Sequence, residues 1–367
     1  MNKKCTVKYK CMNQIDNNLF LLTDKSSELI MCDLSTQKRY FIGKIQRPNS
    51  YFCTSCSIGT KIYYFSYFGN EFCVFDSKNK ELKFVKADIE SHGKKIGECS
   101  SCVKYKDSVY VLSGSNSIQL IKIDSLTDNV NTCADWSEEG QKKYGCVVYP
   151  NLFCNPCITD NIMWLPTNIP DVLIKYYLDS DTYEFIELGK NNIVYNTIAF
   201  DGNNLWLSGN ANGLIKMNNM DSNSMESYVF SDELLIRESV QRKFLFYTAY
   251  AIDKYIYYLP LQSNCLIRLE TGTGIIEIVK KYDEDNYCFL SSDIVYDSKP
   301  SVYMQIESDL NKQFSLNICR DLECDEFVLD DSDMTYSEAV NVKQNTSTAY
   351  LEKDNGMLSW FIQSVVE

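Results

Sequence analysis

The chain has 367 residues, 45% of them hydrophobic, and a formal net charge of −13. This length suits one large all-β body or two to three ordinary domains. The acidic balance disfavours nucleic acids and anionic membranes as partners, since both need clustered Lys and Arg, and no apolar run approaches the length of a membrane span.

Strand-like hairpins recur from one end of the chain to the other. Each places β-branched and aromatic residues on both sides of a short Asp, Asn, Gly or Lys turn, which is the pattern of a β-hairpin. One aromatic residue marks each copy: Phe20, Tyr63, Tyr110, Trp164, Trp206, Tyr257, Tyr303 and, in a looser copy, Trp360.

A second hairpin follows each of these, with an acidic residue at its turn. The acidic residue is Asp33, Asp76, Asp124, Asp179 or Asp321 in five of the copies. An Asp carboxylate can accept hydrogen bonds from backbone N–H groups two residues on, so these residues are predicted to form turns rather than to bind metal.

The aromatic anchors are spaced by about 47 residues between Phe20 and Tyr303. Four strands in that length are typical of a β-propeller blade. We therefore predict an all-β fold, a single β-propeller of four-stranded antiparallel blades over residues 1–367, with the ring closed by pairing of N- and C-terminal strands. Seven blades are favoured and eight are the alternative. The longer gaps at 131–145 and 231–243 are predicted to be loops or short helices at the rim.

Two stretches carry a resemblance to known repeats. "LWLSGNANGLIKMN" (205–218) resembles the blades of bacterial sensor and NHL-like propellers, and "NCLIRLETGTGIIEIV" (264–279) resembles those of streptogramin-lyase-type propellers. The double glycine of kelch repeats and the Gly-His and Trp-Asp pairs of WD40 repeats are absent. The resemblance implies a propeller fold and assigns no catalytic residue.

The sequence gives little support for histidine-based catalysis or for nucleotide binding. The single histidine, His92, lies in a polar stretch between blades, which is a poor basis for a catalytic base or a triad. The chain contains no Walker or Rossmann glycine fingerprint, so nucleotide binding is not expected. The catalytic residues are therefore unknown, and no cofactor-binding residue is assigned.

Cysteine is the unusual residue of this sequence, with 16 copies. Three Cys-x-x-Cys pairs precede the first hairpin strand of the second, third and fourth blades, and they were expected to share one structural position on the innermost strand: Cys53 and Cys56, Cys99 and Cys102, Cys154 and Cys157. Such a ring could bind zinc or another soft metal, or exchange disulfides. Packing is the favoured explanation, because residues three apart in a strand point to opposite faces. No cofactor is therefore expected. If packing holds, Cys56, Cys102 and Cys157 should be buried between blades and Cys53, Cys99 and Cys154 nearer the channel mouth.

Without a catalytic set, the favoured function is a non-catalytic binding scaffold that presents a protein, peptide or glycan site on one face of the propeller. The alternative is a lyase or glycan-active enzyme with its site at the mouth of the central channel, which needs two carboxyl groups about 5 to 9 Å apart. No apolar segment follows the lysines of residues 1–18, so a cytoplasmic protein with free thiols is expected. A monomer that binds neither nucleic acid nor membrane is expected as well.

Overall fold

The structure is a computed structural model. It describes residues 9–23, 27–36, 38–46, 52–66, 71–87, 99–113, 120–151, 155–189, 191–231 and 244–282, and it describes short strands within 90–95 and 287–352 by their backbone alone. His92, Cys154, Asp321, Trp360 and the predicted rim loop after Ser231 lie outside the described residues.

The first three sheets each contain four consecutive antiparallel strands. Sheet 1 contains β1 (Tyr9–Ile15), β2 (Asn18–Thr23), β3 (Glu28–Asp33) and β4 (Arg39–Gln46). Sheet 2 contains β5 (Phe52–Ile58), β6 (Lys61–Ser66), β7 (Glu71–Asp76) and β8 (Glu81–Lys86). A short ribbon of β9 (Glu90–Ser91) and β10 (Lys94–Lys95) follows, and sheet 3 contains β11 (Cys99–Tyr105), β12 (Ser108–Ser113), β13 (Leu120–Asp124) and β14 (Val130–Thr132).

The next three sheets repeat this order. Sheet 4 contains β15 (Cys157–Thr159), β16 (Ile162–Pro166), β17 (Val172–Tyr177) and β18 (Thr182–Glu187). Sheet 5 contains β19 (Tyr195–Phe200), β20 (Leu205–Gly209), β21 (Gly213–Met217) and β22 (Met225–Val229). Sheet 6 contains β23 (Phe246–Ile252), β24 (Tyr255–Pro260), β25 (Cys265–Glu270) and β26 (Ile276–Lys281).

The remaining strands are described by their backbone. Another four-stranded antiparallel sheet contains β27 (Tyr287–Val295), β28 (Ser301–Ser308), β29 (Gln313–Arg320) and β30 (Glu323–Val328). Three short strands come last: β31 (Met334–Thr335), β32 (Lys343–Gln344) and β33 (Tyr350–Glu352). β31 and β33 pair with β4, and β32 pairs with β8, so C-terminal strands extend the outer edges of sheets 1 and 2. The prediction of one ring-closed domain over 1–367 stays a prediction.

The all-β fold of four-stranded antiparallel sheets is confirmed. Helical structure in the described residues is confined to α1 (Ser137–Tyr144), in one of the two predicted rim segments, and to a short 3-10 turn (Asn218–Met220). No helix in the described part of the chain is long and apolar enough to cross a membrane.

The first strand of each sheet lies next to the first strand of a neighbouring sheet. β1 contacts β5, β5 contacts β11, β19 contacts both β15 and β23, and β27 contacts β1. A four-stranded sheet can bury its two faces only against neighbouring sheets, and the core accordingly lies between them. The aromatic anchors fill these gaps, and those whose side chains are described are all buried: Phe20, Tyr63, Tyr110, Trp164, Trp206 and Tyr257.

Two of the anchors also tie their sheet to the next one. The Tyr63 hydroxyl of sheet 2 donates to Asp128 Oδ1 in the outer turn of sheet 3 at 2.6 Å and lies 3.3 Å from the Ser125 carbonyl of that turn. The Tyr110 hydroxyl of sheet 3 donates to the Leu178 carbonyl of sheet 4 at 3.4 Å. Ser125 and Leu178 both follow the third strand of their sheet directly. The anchor therefore fixes the outer turn of the following sheet as well as its own packing.

The acidic turn residues act as the sequence predicts at three positions. Asp33 accepts the backbone N–H groups of Ser35 and Thr36, and Asp124 accepts those of Leu126 and Thr127. Asp76 caps its turn in the same manner. Asp179 differs, because its carboxylate receives side-chain donors, among them Lys106 Nζ at 2.9 Å.

Candidate functional site

A β-bulge lies near the start of most first strands. The register between first and second strand shifts at the second residue of β1, β5, β11, β19 and β23 and at the fourth residue of β27. The residue before the bulge is aromatic in five of these strands, and the residue after it is Cys, Ser or Thr in all six. A bulge bends its strand and changes the direction of its side chains, and in these strands it is followed by a small residue.

The sequence analysis expected the cysteine pairs to share one structural position. The bulges show that the first two pairs do not. Cys53 is itself the bulge residue of β5, between the paired residues Phe52 and Thr54. In β11 the bulge falls at Ser100, and Cys99 is the paired residue before it. "CTSC" and "CSSC" are therefore offset by one residue. The offset arises because the hairpin turn sets the register of each first strand, and the two motifs lie at different distances from their turns.

The predicted division into buried and mouth-facing thiols was also wrong in part. Cys56 is buried as expected, but Cys99 is equally buried, and Cys53, Cys102 and Cys157 are half-buried.

The thiols at the gap between sheets 2 and 3 make hydrogen bonds of a packing type. Cys53 Sγ donates to the carbonyl oxygen of Cys99 at 2.7 Å, and Cys102 Sγ lies 3.4 Å from Thr54 Oγ1. Burial raises the pKa of Cys99 to about 12 and also raises the pKa of Cys53 and of Cys102. Because soft metals bind thiolates, protonated thiols are poor ligands. Among the described residues, no three His, Cys, Asp or Glu side chains are grouped to hold a metal ion.

Zinc or soft-metal binding by the Cys-x-x-Cys pairs stays a prediction, because Cys154 lies outside the described residues. Cys157 belongs to the core between sheets 4 and 5, and burial raises its pKa to about 12.

Thiol reactivity provides a direct measurement. Cys146 is the exposed cysteine of the eleven that the structure describes, whereas Cys99 is buried and Cys53 and Cys102 are half-buried, and burial raises the pKa of all three thiols. In a titration of the native protein with a thiol reagent at pH 8, we expect Cys146 to react in the fast phase. Cys53, Cys99 and Cys102 should react in a slower phase, because little thiolate forms at this pH and the reagent has restricted access.

The control for this titration is Cys146→Ser, which should remove one equivalent of the fast phase and leave the slow phase unchanged. A triple variant with Ser at 53, 99 and 102 that loses fast-phase thiols instead would contradict the assignment.

Polar side chains of three sheets meet beside the first strands. Asn155 Nδ2 donates to Thr248 Oγ1 at 3.1 Å, and Ser101 Oγ donates to Asn155 Oδ1 at 3.2 Å. We call these three residues the axial bridge. Ser101 and Thr248 belong to sheets 3 and 6 and are fully buried, and Asn155 lies just before β15 of sheet 4. The Asn155–Thr248 bond joins sheets 4 and 6, which are not consecutive along the chain, so the axial bridge spans the space between their first strands.

The sequence analysis missed Asn155, although it lies inside the "CNPC" pair that was singled out for its cysteines. The sequence does contain a sign of its role. The first strands of the other sheets have Cys, Thr or Ser at the position after the bulge, where this sheet has Asn155. Asn155 is the larger amide that can reach across the centre.

The alternative function, an enzyme with its site at the channel mouth, needs carboxyl groups near the first strands. β1, β5, β11, β15, β19 and β23, the first strands with described side chains, contain no Asp or Glu. Asp293 in β27 has only its backbone described. The pair of carboxyl groups that glycosidase chemistry needs is therefore absent from the described first strands.

A cleft opens elsewhere, at the outer side of sheets 5 and 6. It has a volume of about 440 Å³ and runs between β22 of sheet 5 and the two outer strands of sheet 6. Most of its lining residues are aliphatic or aromatic, but about half of the surface they expose to the cleft is polar; they include Tyr228, Val229, Ser231, Ile267, Ile276 and Ile278. We call it the outer cleft.

One lining residue of the outer cleft is a large apolar side chain in solvent. Val229 is 78% exposed, which is unusual for a residue of this size. Gly274 has a φ of +71°, and a Cβ there would lie 2.3 Å from Tyr228 Cε1. The turn before β26 therefore needs glycine to let the Tyr228 ring form this wall.

β22 has a free outer edge. It pairs with β21 on one side, and no strand in the described part of the chain pairs with its other side. β4 and β8 hold the corresponding position in sheets 1 and 2, and both accept C-terminal strands there. Outer edges in this molecule are thus geometrically open to an added strand.

The comparisons with known proteins show the fold only. No family model matches the chain, and no curated protein matches its sequence. Solved structures do match. The computationally designed protein Ika8 is similar over 89% of this chain and 98% of its own, with 9% identity and a TM-score of 0.55. BamB from Moraxella catarrhalis, a β-propeller, is similar over 86% of this chain and 85% of its own, with 9% identity and a TM-score of 0.51.

A third similar structure is PorZ of Porphyromonas gingivalis, with 10% identity and a TM-score of 0.56. The similarity covers 88% of this chain but 38% of PorZ. Together with the four-stranded sheets, these matches support a propeller-like repeat fold. The resemblance to NHL-like and streptogramin-lyase-type blades stays a prediction.

The expected cytoplasmic location is wrong in the light of this comparison. PorZ is described as a bacterial surface component of a secretion system, and this finding contradicts the expectation. The expectation had rested on the cysteine content and on the composition of residues 1–18, and neither is a property of the fold.

Proposed function

We propose that the protein is a non-catalytic binding scaffold, built as a seven-bladed β-propeller, which holds an extended apolar peptide segment of a partner protein in the outer cleft. The observation that carries this proposal is the combination of a cleft lined by isoleucine side chains of sheet 6 with a free strand edge along its other wall.

Seven blades are supported by the order of the sheets. Sheets 1 to 6 are followed by one further four-stranded sheet, β27–β30, whose first strand contacts β1 of sheet 1. The strands after β30 are short and pair with sheets 1 and 2 instead of forming another sheet. This arrangement favours seven blades over eight.

The peptide class follows from strand geometry. A segment that pairs with the free edge of β22 forms main-chain hydrogen bonds, and every second side chain then points to the same face. On that face lie Ile276 and Ile278 of sheet 6, which offer an apolar surface. The proposed ligand is therefore an extended peptide with apolar residues at alternate positions.

Selection from a random peptide display library, followed by titration of synthetic peptides against the purified protein, tests this function. Selected peptides should show apolar residues at every second position. Val229→Asp should weaken their binding at least tenfold, because it places a charge at the apolar wall. Methylation of alternate peptide nitrogens should weaken binding as well, since it removes main-chain donors.

The matched control is Leu126→Asp, an equally exposed apolar position (76%) on sheet 3, far from the cleft in the chain. It should leave the peptide affinity unchanged. Peptides that bind Val229→Asp as tightly as the unaltered protein would contradict the proposal.

A further inference from the structure

Three buried hydroxyl groups lie in the gap between sheets 5 and 6. Thr197 in β19 and Ser208 in β20 are direct partners in the strand register, and each is 1% exposed. Tyr258 in β24 of sheet 6 is fully buried. The oxygen atoms of all three have no hydrogen-bond partner in the described part of the chain.

Strand alternation places these groups in the same gap. Ala199, Trp206 and Tyr258 all belong to the hydrophobic core between sheets 5 and 6. Thr197 lies two residues before Ala199, and Ser208 lies two residues after Trp206, so both share a face with these core residues. The three hydroxyls therefore lie on the facing sides of two neighbouring sheets.

An amide adds a fourth oxygen. Asn196 is fully buried, and its Nδ2 donates to the Phe246 carbonyl of sheet 6 at 2.5 Å. This bond fixes the amide across the same gap and leaves Oδ1 without a partner.

The corresponding gap between sheets 1 and 2 has a different composition. By strand register, Cys11 and Leu22 are the counterparts of Thr197 and Ser208, and Tyr64 is the counterpart of Tyr258. These three residues share one hydrophobic core cluster. At the Thr197 and Ser208 positions the fold therefore accommodates apolar side chains beside this tyrosine. The gap between sheets 1 and 2 instead has one amide, Asn13, at the position of Ala199, so the pair of hydroxyls at 197 and 208 is particular to sheets 5 and 6.

Buried hydroxyls without partners destabilise a protein, and native structures rarely keep several of them together. The four oxygens are uncharged, and the hydroxyls can each donate or accept. The ligand that suits such a set is small, neutral and able to do both, which describes a water molecule with two to four polar partners.

We propose that Thr197, Ser208, Tyr258 and the Asn196 amide oxygen bind an ordered water molecule between sheets 5 and 6. These sheets form the two walls of the outer cleft, so the bound water ties the walls together from inside. The site is independent of any peptide in the cleft.

A high-resolution crystal structure of the protein without peptide is the first test. Density for a water should lie 2.7–3.2 Å from at least two of the four oxygens. Hydroxyls that bond directly to each other, with no density between them, would overturn the proposal.

Thermal unfolding is the second test, and the chain offers a matched pair of tyrosines. Tyr258→Phe and Thr197→Val each remove one partner of the water and should lower Tm by about 1 to 3 °C. Tyr64→Phe removes a buried hydroxyl from the apolar gap and should leave Tm unchanged or raise it. The double variant T197V/Y258F should lower Tm by less than the sum of the single effects, because both hydroxyls act through one water. A rise in Tm for Tyr258→Phe and Thr197→Val, like that of Tyr64→Phe, would overturn the proposal.

Discussion

Trp206→Ala should lower the free energy of unfolding by about 3 to 5 kcal/mol, the usual cost of emptying a buried aromatic site. Trp206 is fully buried between sheets 5 and 6, and its ring centroid lies 5.3 Å from that of Tyr228. Its indole Nε1 donates to Asp201 Oδ2 at 2.7 Å. Loss of the ring therefore removes apolar contact and also leaves a partly buried carboxylate without one of its donors.

Trp206→Phe separates the two contributions. It keeps much of the apolar contact and removes the indole donor, so a smaller loss of about 1 to 2 kcal/mol is expected. Denaturant unfolding followed by tryptophan fluorescence and circular dichroism measures both variants. Leu126→Ala, at an exposed position, is the control and should leave the unfolding free energy unchanged. A Trp206→Ala protein as stable as this control would contradict the assignment of Trp206 to the core.

Asp128→Asn should destabilise the protein by about 1 to 3 kcal/mol, because it removes the negative charge of a buried carboxylate that pairs with two partly exposed lysines. The Asp128 side chain is 5% exposed and lies in the outer turn of sheet 3. It accepts Tyr63 Oη at 2.6 Å and Lys61 Nζ at 3.2 Å from sheet 2, and it also pairs with Lys83. Asparagine leaves the two ammonium groups without a counter-charge at the gap between sheets.

The same cluster makes the unfolding free energy depend on pH in the acid range. Burial alone raises the pKa of the Asp128 carboxyl, but donors from Lys83, Tyr63 and Lys61 outweigh it, so the pKa lies below its ordinary value. A carboxyl with a lowered folded-state pKa stabilises the fold above its unfolded pKa, near 4, and loses this contribution as pH falls through the folded value. The unfolding free energy of the unaltered protein should therefore fall below about pH 4, and that of Asp128→Asn should fall less steeply.

Asp179→Asn is the control for this experiment. Asp179 pairs with Lys106 in solvent, where both side chains are more than half exposed. Exposed pairs are screened by water, so the substitution should not change stability measurably. Equal acid limbs for Asp128→Asn and the unaltered protein would show that the buried cluster does not govern the pH dependence.

The period of the chain could be predicted from sequence because it is set by residue types. Aromatic anchors such as Tyr63 and Trp164 must fill gaps between sheets, and turn residues such as Asp33 and Asp124 must accept backbone donors. Both requirements leave a visible pattern, and the structure confirms it in the described residues.

The register of the first strands could not be predicted from the sequence. The bulges at Cys53 and Ser100 insert one residue into the first strand without any composition that announces it. The two Cys-x-x-Cys motifs therefore looked equivalent and are not. The outer cleft was missed for a related reason: the exposure of Val229 depends on which side of β22 faces sheet 6, and an isolated strand pattern does not contain that information.

The tyrosine contacts between sheets have a direction. Tyr63 holds the outer turn of sheet 3, and Tyr110 holds that of sheet 4, so in each case the donor precedes the acceptor along the chain. During synthesis on the ribosome, these sheets can each dock onto a neighbour that has already emerged, since proteins are made and folded from the N-terminus. Sheets that dock in this order make these contacts with residues that are already translated. The contact between β27 and β1 is different, because it joins the last four-stranded sheet to the first.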